Sequence, residues 1–280
     1  MTQTTALQFH RFQKLTSTNA KAKELAASGA PHGTVVIAEE QTGGRGRLGR
    51  TFFSPKGSGI YLSMILRPEV IGANNESAVL LTTAASVAVA RAVKKALHLD
   101  LQIKWVNDLY YNARKVCGIL AEGSFDPASG SLSAVVIGIG LNYKEPSGGF
   151  PEELRDIAGA LFPADIALSA AASATADSLP DTDTLAVAIA EELFTLADHI
   201  TDRTFLTEYK ARSMVLGQRV RILPRDEIVT AVDITEDGGL VIRHDDGTVE
   251  TLTTGEISLR IVQLQCIFRR FSRSPHRRFL

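Results

Sequence analysis

The stretch Gln41–Arg50, QTGGRGRLGR, decides how this chain is read. It places four glycines and three arginines in ten residues, between two runs with strand character, GTVVIAEE (33–40) and GIYLSMIL (59–66). Gly44, Gly46 and Gly49 spell G-x-G-x-x-G. In a dinucleotide-binding fold that pattern runs straight into a helix whose N-terminus holds the pyrophosphate. The residues that follow, TFFSPKGSG, bring a proline, two further glycines and strand formers, so the required helix is missing. No Gly-Lys-Ser/Thr follows, which excludes a Walker-type phosphate loop. Arginines this close repel one another unless they face an anion, and their planar forks suit phosphate or carboxylate. Glycines between them let the backbone approach a ligand and donate N–H groups. The stretch reads as a loop that closes over a phosphate-bearing ligand; a polar turn without a ligand is the alternative.

Outward from the loop, the chain reads as an α/β (α+β) domain with a small β domain behind it. Upstream, TSTNAKAKELAASG (16–29) has capping residues, helix formers and a closing glycine in order. Downstream, Ser77–Leu99 reads as a long helix buried on most of its surface. LQIKWVND (101–108) alternates apolar and polar residues as one strand. A turn at Asn112–Arg114 makes a hairpin with the strand KVCGILAEG (115–123). LSAVVIGIGLN (132–142) is apolar throughout and reads as a buried strand. Residues 162–184, rich in Ala, Ser, Asp and Pro, read as a surface excursion. Leu185, Ile189, Leu193, Leu196 and Ile200 then fall on one helical face. From Gly217, five short strands separated by PRDE, TEDGG and DDGT turns suggest a β-barrel of about fifty residues. The expected boundaries are 1–215 for the first domain, 216–264 for the second, and 265–280 for a basic, solvated tail.

Composition is that of an ordinary globular protein: 280 residues, 45% hydrophobic, 22% charged, net charge −1. That balance speaks against a chain whose main task is coating nucleic acid or membrane. The two cysteines, Cys117 and Cys266, form no disulfide framework or zinc spacing. Cys117 reads as a packed side chain. The polar start MTQTTALQFHRFQ has no secretory core, and the most apolar run, 78–92, is interrupted by Thr82, Thr83, Ser86 and Arg91. A cytoplasmic enzyme is expected, without membrane contact.

Four motifs in series, STN (17–19), Q-x-x-GRGRLGR (41–50), KWVNDLYYNARKVCGIL (104–120) and GIGLN (138–142), resemble the biotin protein ligase family, biotin–[acetyl-CoA-carboxylase] ligases. The resemblance covers roughly residues 16–142, and the C-terminal strands fit the family's SH3-like domain. Regulatory members carry an N-terminal DNA-binding domain. Only about fifteen residues precede STN here, so the short, enzymatic form is expected, with no DNA partner. Val106 departs from the family's usual proline in this motif.

The resemblance implies ATP-dependent activation of biotin as biotinyl-5′-AMP, then transfer to a lysine of a biotin carboxyl-carrier domain, with ATP and Mg²⁺ required. It assigns Arg45, Gly46 and Arg47 to biotin and its adenylate, and Lys115 to the biotin carboxyl and the forming adenylate; Lys115 and Arg47 are the catalytic candidates. Ser17, Thr18, Asn19 and Gln41 correspond to head-group contacts, and a ureido ring needs donors and acceptors at fixed angles. Asn107 and Asp108 correspond to the pair near Mg²⁺ and phosphates, and Phe52 to an aromatic near adenine. Read from the residues alone, Ser17–Asn19 is a helix cap, Asn107–Asp108 a turn, Phe52 a core aromatic and Lys115 an exposed residue after a hairpin. The glycines of GIGLN are expected to let the sheet approach a ligand. The alternatives are a lipoate or octanoate ligase on a related fold and a non-catalytic regulator that binds the adenylate. A homodimer is compatible with either.

Overall fold

The computed structural model describes residues 6–72, 78–126, 130–165 and 180–253, and the backbone of 258–261. The elements in chain order are β1 (Gln8–Leu15), α1 (Thr18–Ala27), β2 (Thr34–Gln41), β3 (Gly59–Leu66), α2 (Pro68–Ile71), α3 (Ala78–Leu97), β4 (Gln102–Lys104), β5 (Asp108–Tyr111), β6 (Arg114–Phe125), β7 (Leu132–Asn142), α4 (Thr182–Asp198) and α5 (Phe205–Arg212). Then come β8 (Arg219–Leu223), β9 (Glu227–Ile234), β10 (Leu240–Arg243), β11 (Val249–Leu252) and β12 (Ser258–Ile261).

The first twelve elements build a seven-stranded sheet in the order β1-β2-β3-β7-β6-β5-β4. Only β1 and β2 run parallel; every other neighbouring pair is antiparallel. No helix follows Gly49, only a 3-10 turn, Arg47–Gly49. The mixed sheet and the missing helix both exclude the dinucleotide-binding reading.

Strand alternation gives the sheet two unlike faces. On one, Ile60, Leu62, Met64 and Leu66 join Leu81, Ala88, Leu185 and Leu193 of α3 and α4 in the main core. That core takes nearly all sides of α3, as its Ala/Val/Leu composition requires. On the other face, α1 packs through Ala22 and Ala26 onto Val36, Ile65, Ala134 and Val136. The same face also carries Ser63, Gly138, Gly140 and Glu122, residues that leave room and polarity beside α1.

The strand read over 101–108 is divided. β4 ends at Lys104, Trp105–Asn107 turn, and β5 pairs back on β4. The peptide bond between Trp105 and Val106 is cis. Asn107 donates its amide to Ile119 O at 3.0 Å and accepts from Ile119 N–H at 2.9 Å, which pulls this turn onto β6. The hairpin at 112–114 forms as expected, with Asn112 and Ala113 both in the left-handed region.

The last five strands form a second antiparallel sheet, β11-β10-β9-β8-β12, the small SH3-like β domain. Its buried residues Val220, Ile222, Ala231 and Leu240 merge with the main core. The basic tail and most of the 162–184 excursion lie outside the described residues. No helix among the described residues is long and apolar enough to cross a membrane.

Candidate active site

The glycine/arginine stretch is a hairpin. Gln41 N–H donates to Ser54 O (3.0 Å), Phe52 N–H to Gly44 O (2.9 Å) and Gly46 N–H to Arg50 O (2.7 Å). A Cβ at Gly44 would lie 2.4 Å from Phe52 O, so the two arms meet only with glycine there. Leu48 and Gly49 turn the tip with φ of 58° and 72°. Arg45 and Arg50 stay exposed, while Arg47 turns inward and donates to Asn107 Oδ1 at 2.8 Å. Burial holds the Arg47 guanidinium below its ordinary pKa; Asp108 works against that shift and Arg50 with it. A cation so placed is short of counter-charge.

Across the cavity, Lys115 has its backbone pinned by Ile157 O (3.0 Å) and Gly159 N–H (2.8 Å). Its Nζ lies 2.6 Å from Asp108 Oδ1. That oxygen is buried without an aligned hydrogen-bond donor, so charge alone holds the pair. Asp108 and Asn107 are therefore the oxygen donors that could meet a cation. Among the described residues no group of three or more His, Cys, Asp or Glu forms a metal cage. This donor set fits Mg²⁺ as that ion is usually held, by one or two protein oxygens with the rest supplied by phosphates and water.

At the opposite end, Ser17 Oγ caps α1 by accepting from Ala20 N–H at 3.4 Å. The next two residues turn into the sheet. Thr18 N–H and Oγ1 reach Gln41 Oε1 at 2.8 and 3.1 Å, and Gln41 Nε2 donates to Ser54 Oγ at 3.0 Å. Ser63 Oγ lies 2.8 Å from Thr18 Oγ1 and 2.6 Å from Asn19 Oδ1. Ser17 thus caps the helix, while Thr18 and Asn19 line the cavity beside it.

Between these ends the floor is glycine. Phe52 lies over it: a Cβ on Gly140 would come 2.5 Å from the Phe52 ring, and one on Gly138 2.0 Å from Asn19 Oδ1. The bareness of GIGLN is thus used first by the protein's own side chains, which narrows the expectation of direct ligand approach. Phe52 also meets Tyr61 edge-on at 6.5 Å, and burial raises the Tyr61 hydroxyl to about 12.

All eleven residues singled out in the sequence, Ser17, Thr18, Asn19, Gln41, Arg45, Gly46, Arg47, Phe52, Asn107, Asp108 and Lys115, line one cavity of about 810 Å³. Cys117 is fully buried behind it with its thiol pushed up by burial, an inert packed side chain. Sequence reasoning missed Lys104, Tyr110, Asn142 and the 156–158 segment, which also line the cavity. Asn142 was within reach as the last residue of GIGLN; the 156–158 segment carries no local signal.

Residues 9–142 match the biotin/lipoate A/B protein ligase family, and residues 215–260 match the biotin protein ligase C-terminal domain. The biotin–[acetyl-CoA-carboxylase] ligase of Mycobacterium tuberculosis is 32% identical over 253 residues, covering 87% of this chain and 86% of that protein. The chain belongs to the biotin/lipoate A/B protein ligase family. With the bifunctional ligase/repressor BirA of Bacillus subtilis, it shares 41% identity over 147 residues, spanning 44% of that protein's length. The structure is similar to biotin protein ligase from Aquifex aeolicus in complex with biotin and ATP, with a TM-score of 0.71 and 25% identity over 91% of this chain and 99% of that one. It is also similar to biotin protein ligase from Leishmania major in complex with biotinyl-5-AMP, with a TM-score of 0.59 and 29% identity, covering 89% of this chain and all (100%) of the other.

Proposed function

We propose that this protein joins biotin to ATP as biotinyl-5′-AMP and transfers the biotinyl group to a lysine of a carboxylase carrier domain. One observation carries the reading: a single cavity has a neutral, hydrogen-bonding end and a cationic end. Thr18, Asn19 and Gln41 suit an uncharged polar ring; Lys115 and Arg47 suit a carboxylate and phosphates. An apolar acyl chain without a polar head would leave the first end unsatisfied.

In the first step a biotin carboxylate oxygen bonds to the α-phosphorus, and the bond from that phosphorus to the bridging oxygen of pyrophosphate breaks. Two anions must meet, so positive charge and alignment are the main requirements. We assign Lys115 to the carboxylate and α-phosphate, leaving Asp108 as they arrive, and Arg45 and Arg47 to the adenylate. Phe52 is placed beside the adenine. A magnesium ion entering with ATP would take oxygens of Asp108 and Asn107 and offset charge on the departing pyrophosphate. In the second step the neutral lysine amine of the carrier attacks the acyl carbon, AMP leaves, and the amine proton passes to solvent or phosphate. We place this chemistry in 1–215 and treat 216–264 as the supporting β domain. The test is incubation with ATP, Mg²⁺, labelled biotin and a carrier domain, with octanoate and lipoate as competitors. Label should reach the carrier lysine and resist both competitors; labelling driven by octanoate or lipoate instead would overturn the reading.

A further inference from the structure

Asn19 is the one amide at the neutral end whose orientation depends on another side chain. Gln41 is fixed by backbone: its Oε1 accepts from Thr18 N–H at 2.8 Å, and Ser54, which receives its Nε2–H, itself donates to Phe52 O at 2.9 Å. Asn19 Nδ2 instead donates to Glu122 Oε2 at 2.8 Å, with Leu120 O at a weak 3.4 Å. The other Glu122 oxygen takes Lys23 Nζ at 2.8 Å. Burial alone would raise the Glu122 carboxyl; bonds from Lys23 and Asn19 and the charges of Lys23 and Arg45 outweigh it, and the group is held below its ordinary value. It is an acceptor only.

The protons then follow in order. A carboxylate facing Nδ2 forces Asn19 Oδ1 toward Ser63, which is fully buried and must donate to it across 2.6 Å. Ser63 has one proton, so its 2.8 Å contact with Thr18 Oγ1 can be satisfied only if Thr18 donates. Thr18 Oγ1 is left with lone pairs alone for the cavity, while Gln41 keeps one N–H. A reversed Asn19 would send the Ser63 proton to Thr18 and occupy one of its lone pairs, while the Thr18 proton would turn to Gln41 Oε1, 3.1 Å away. Gly138 closes the cradle, since any Cβ there would strike Asn19 Oδ1.

We infer that Glu122 is a positioning residue that sets the direction of the Asn19–Ser63–Thr18 hydrogen-bond chain and so keeps the Thr18 lone pairs free to accept an N–H of the ligand head group. The inference rests on the biotin reading above and adds to it a residue outside the cavity lining. It explains why a carboxylate stands beside a site for an uncharged ring.

The test is pyrophosphate release at saturating ATP, with biotin varied, in wild type and variants. Glu122→Ala should raise the biotin KM about tenfold, the worth of one charge-assisted hydrogen bond, with kcat and the ATP KM little changed. Glu122→Gln still offers a carbonyl to Asn19 and should restore most of the loss. Lys23→Ala breaks only the outer ion pair and should stay within about twofold of wild type. Ser63→Ala cuts the same chain, so combining it with Glu122→Ala should cost no more than the worse single change. Additive losses, an equal loss in Lys23→Ala, or no rescue by Gln would overturn the role of Glu122. If Glu122→Ala does not fold, the Gln, Lys23 and Ser63 variants still decide. A wild type that makes no adenylate from biotin would instead sink the biotin reading itself.

Discussion

Lys115 and Arg47 bring the same charge to the cavity from unlike supports. Lys115 rises from a strand whose backbone is tied on both sides to 157 and 159. Arg47 sits at a hairpin tip and is held by one bond to Asn107. With Lys115 placed at the reacting carboxyl and α-phosphate, Lys115→Ala should slow adenylate formation by about 10²–10³-fold, the usual loss for one preorganised electrostatic contact. Arg47→Gly removes a charged contact worth about 1.5–3 kcal/mol and frees the tip. The expected result is faster escape of adenylate, which acylates lysines at random. Bound adenylate, its dissociation rate and biotin on a bystander protein measure both effects. Normal adenylate synthesis in Lys115→Ala, or normal retention in Arg47→Gly, would refute these roles.

Elements with strong local signals are visible in the sequence. β3, β7 and β9 fall where apolar runs stop at glycine, asparagine or turn residues. β1 was not visible: QFHRFQKL is polar, has a partner on one side only among the described residues, and owes its strand form to register with β2. Nor does periodicity reveal that LQIKWVND breaks, because the partners of its turn are Ile119 and residues beyond 200. The arginine hairpin and Lys115 could be read from motifs; Glu122 and Ser63 could not, since only sheet register brings them to Asn19. α5, also missed, is clamped by charge. Glu208 takes Arg91 of α3 at 2.7 Å and Arg212 at 2.8 Å. Burial would raise its carboxyl, but the two arginine hydrogen bonds hold it below the ordinary 4.5. A folded-state pKa below the unfolded one adds stability that is full above 4.5 and fades as pH falls through the lower folded value. Glu208→Gln should therefore cost about 1 kcal/mol at neutral pH. In thermal melts its gap from wild type should close in acid; a pH-independent gap would rule out the ionic clamp.

At the scale of the whole molecule, the β domain is built into the larger one. Trp105, almost wholly buried, donates its indole N–H to Gly238 O at 2.8 Å, in the turn between β9 and β10. Gly238 has φ +82°, and a Cβ there would press within 3.2 Å of Thr83 and Val79 on α3, so the turn docks closely because it is glycine. From α5, Tyr209 donates its hydroxyl to Val106 O at 3.2 Å. Two contacts from the C-terminal third thus hold Trp105–Val106, and the next two residues are Asn107 and Asp108 at the cationic end of the cavity. The neutral end is held separately, by α1 and β3. Trp105→Phe keeps an aromatic ring but leaves Gly238 O buried without that donor, at a cost of about 1–3 kcal/mol. In a chain of this size each kcal/mol lowers the melting temperature by about 2–4 °C. If the β domain steadies the Asn107–Asp108 turn, the variant should raise the KM for ATP several-fold while the KM for biotin stays near wild type. Tyr209→Phe, which removes the second tie, should move the two constants the same way. Equal changes in both constants, or a loss of melting temperature with no kinetic change, would mean that the β domain adds stability without positioning the phosphate end.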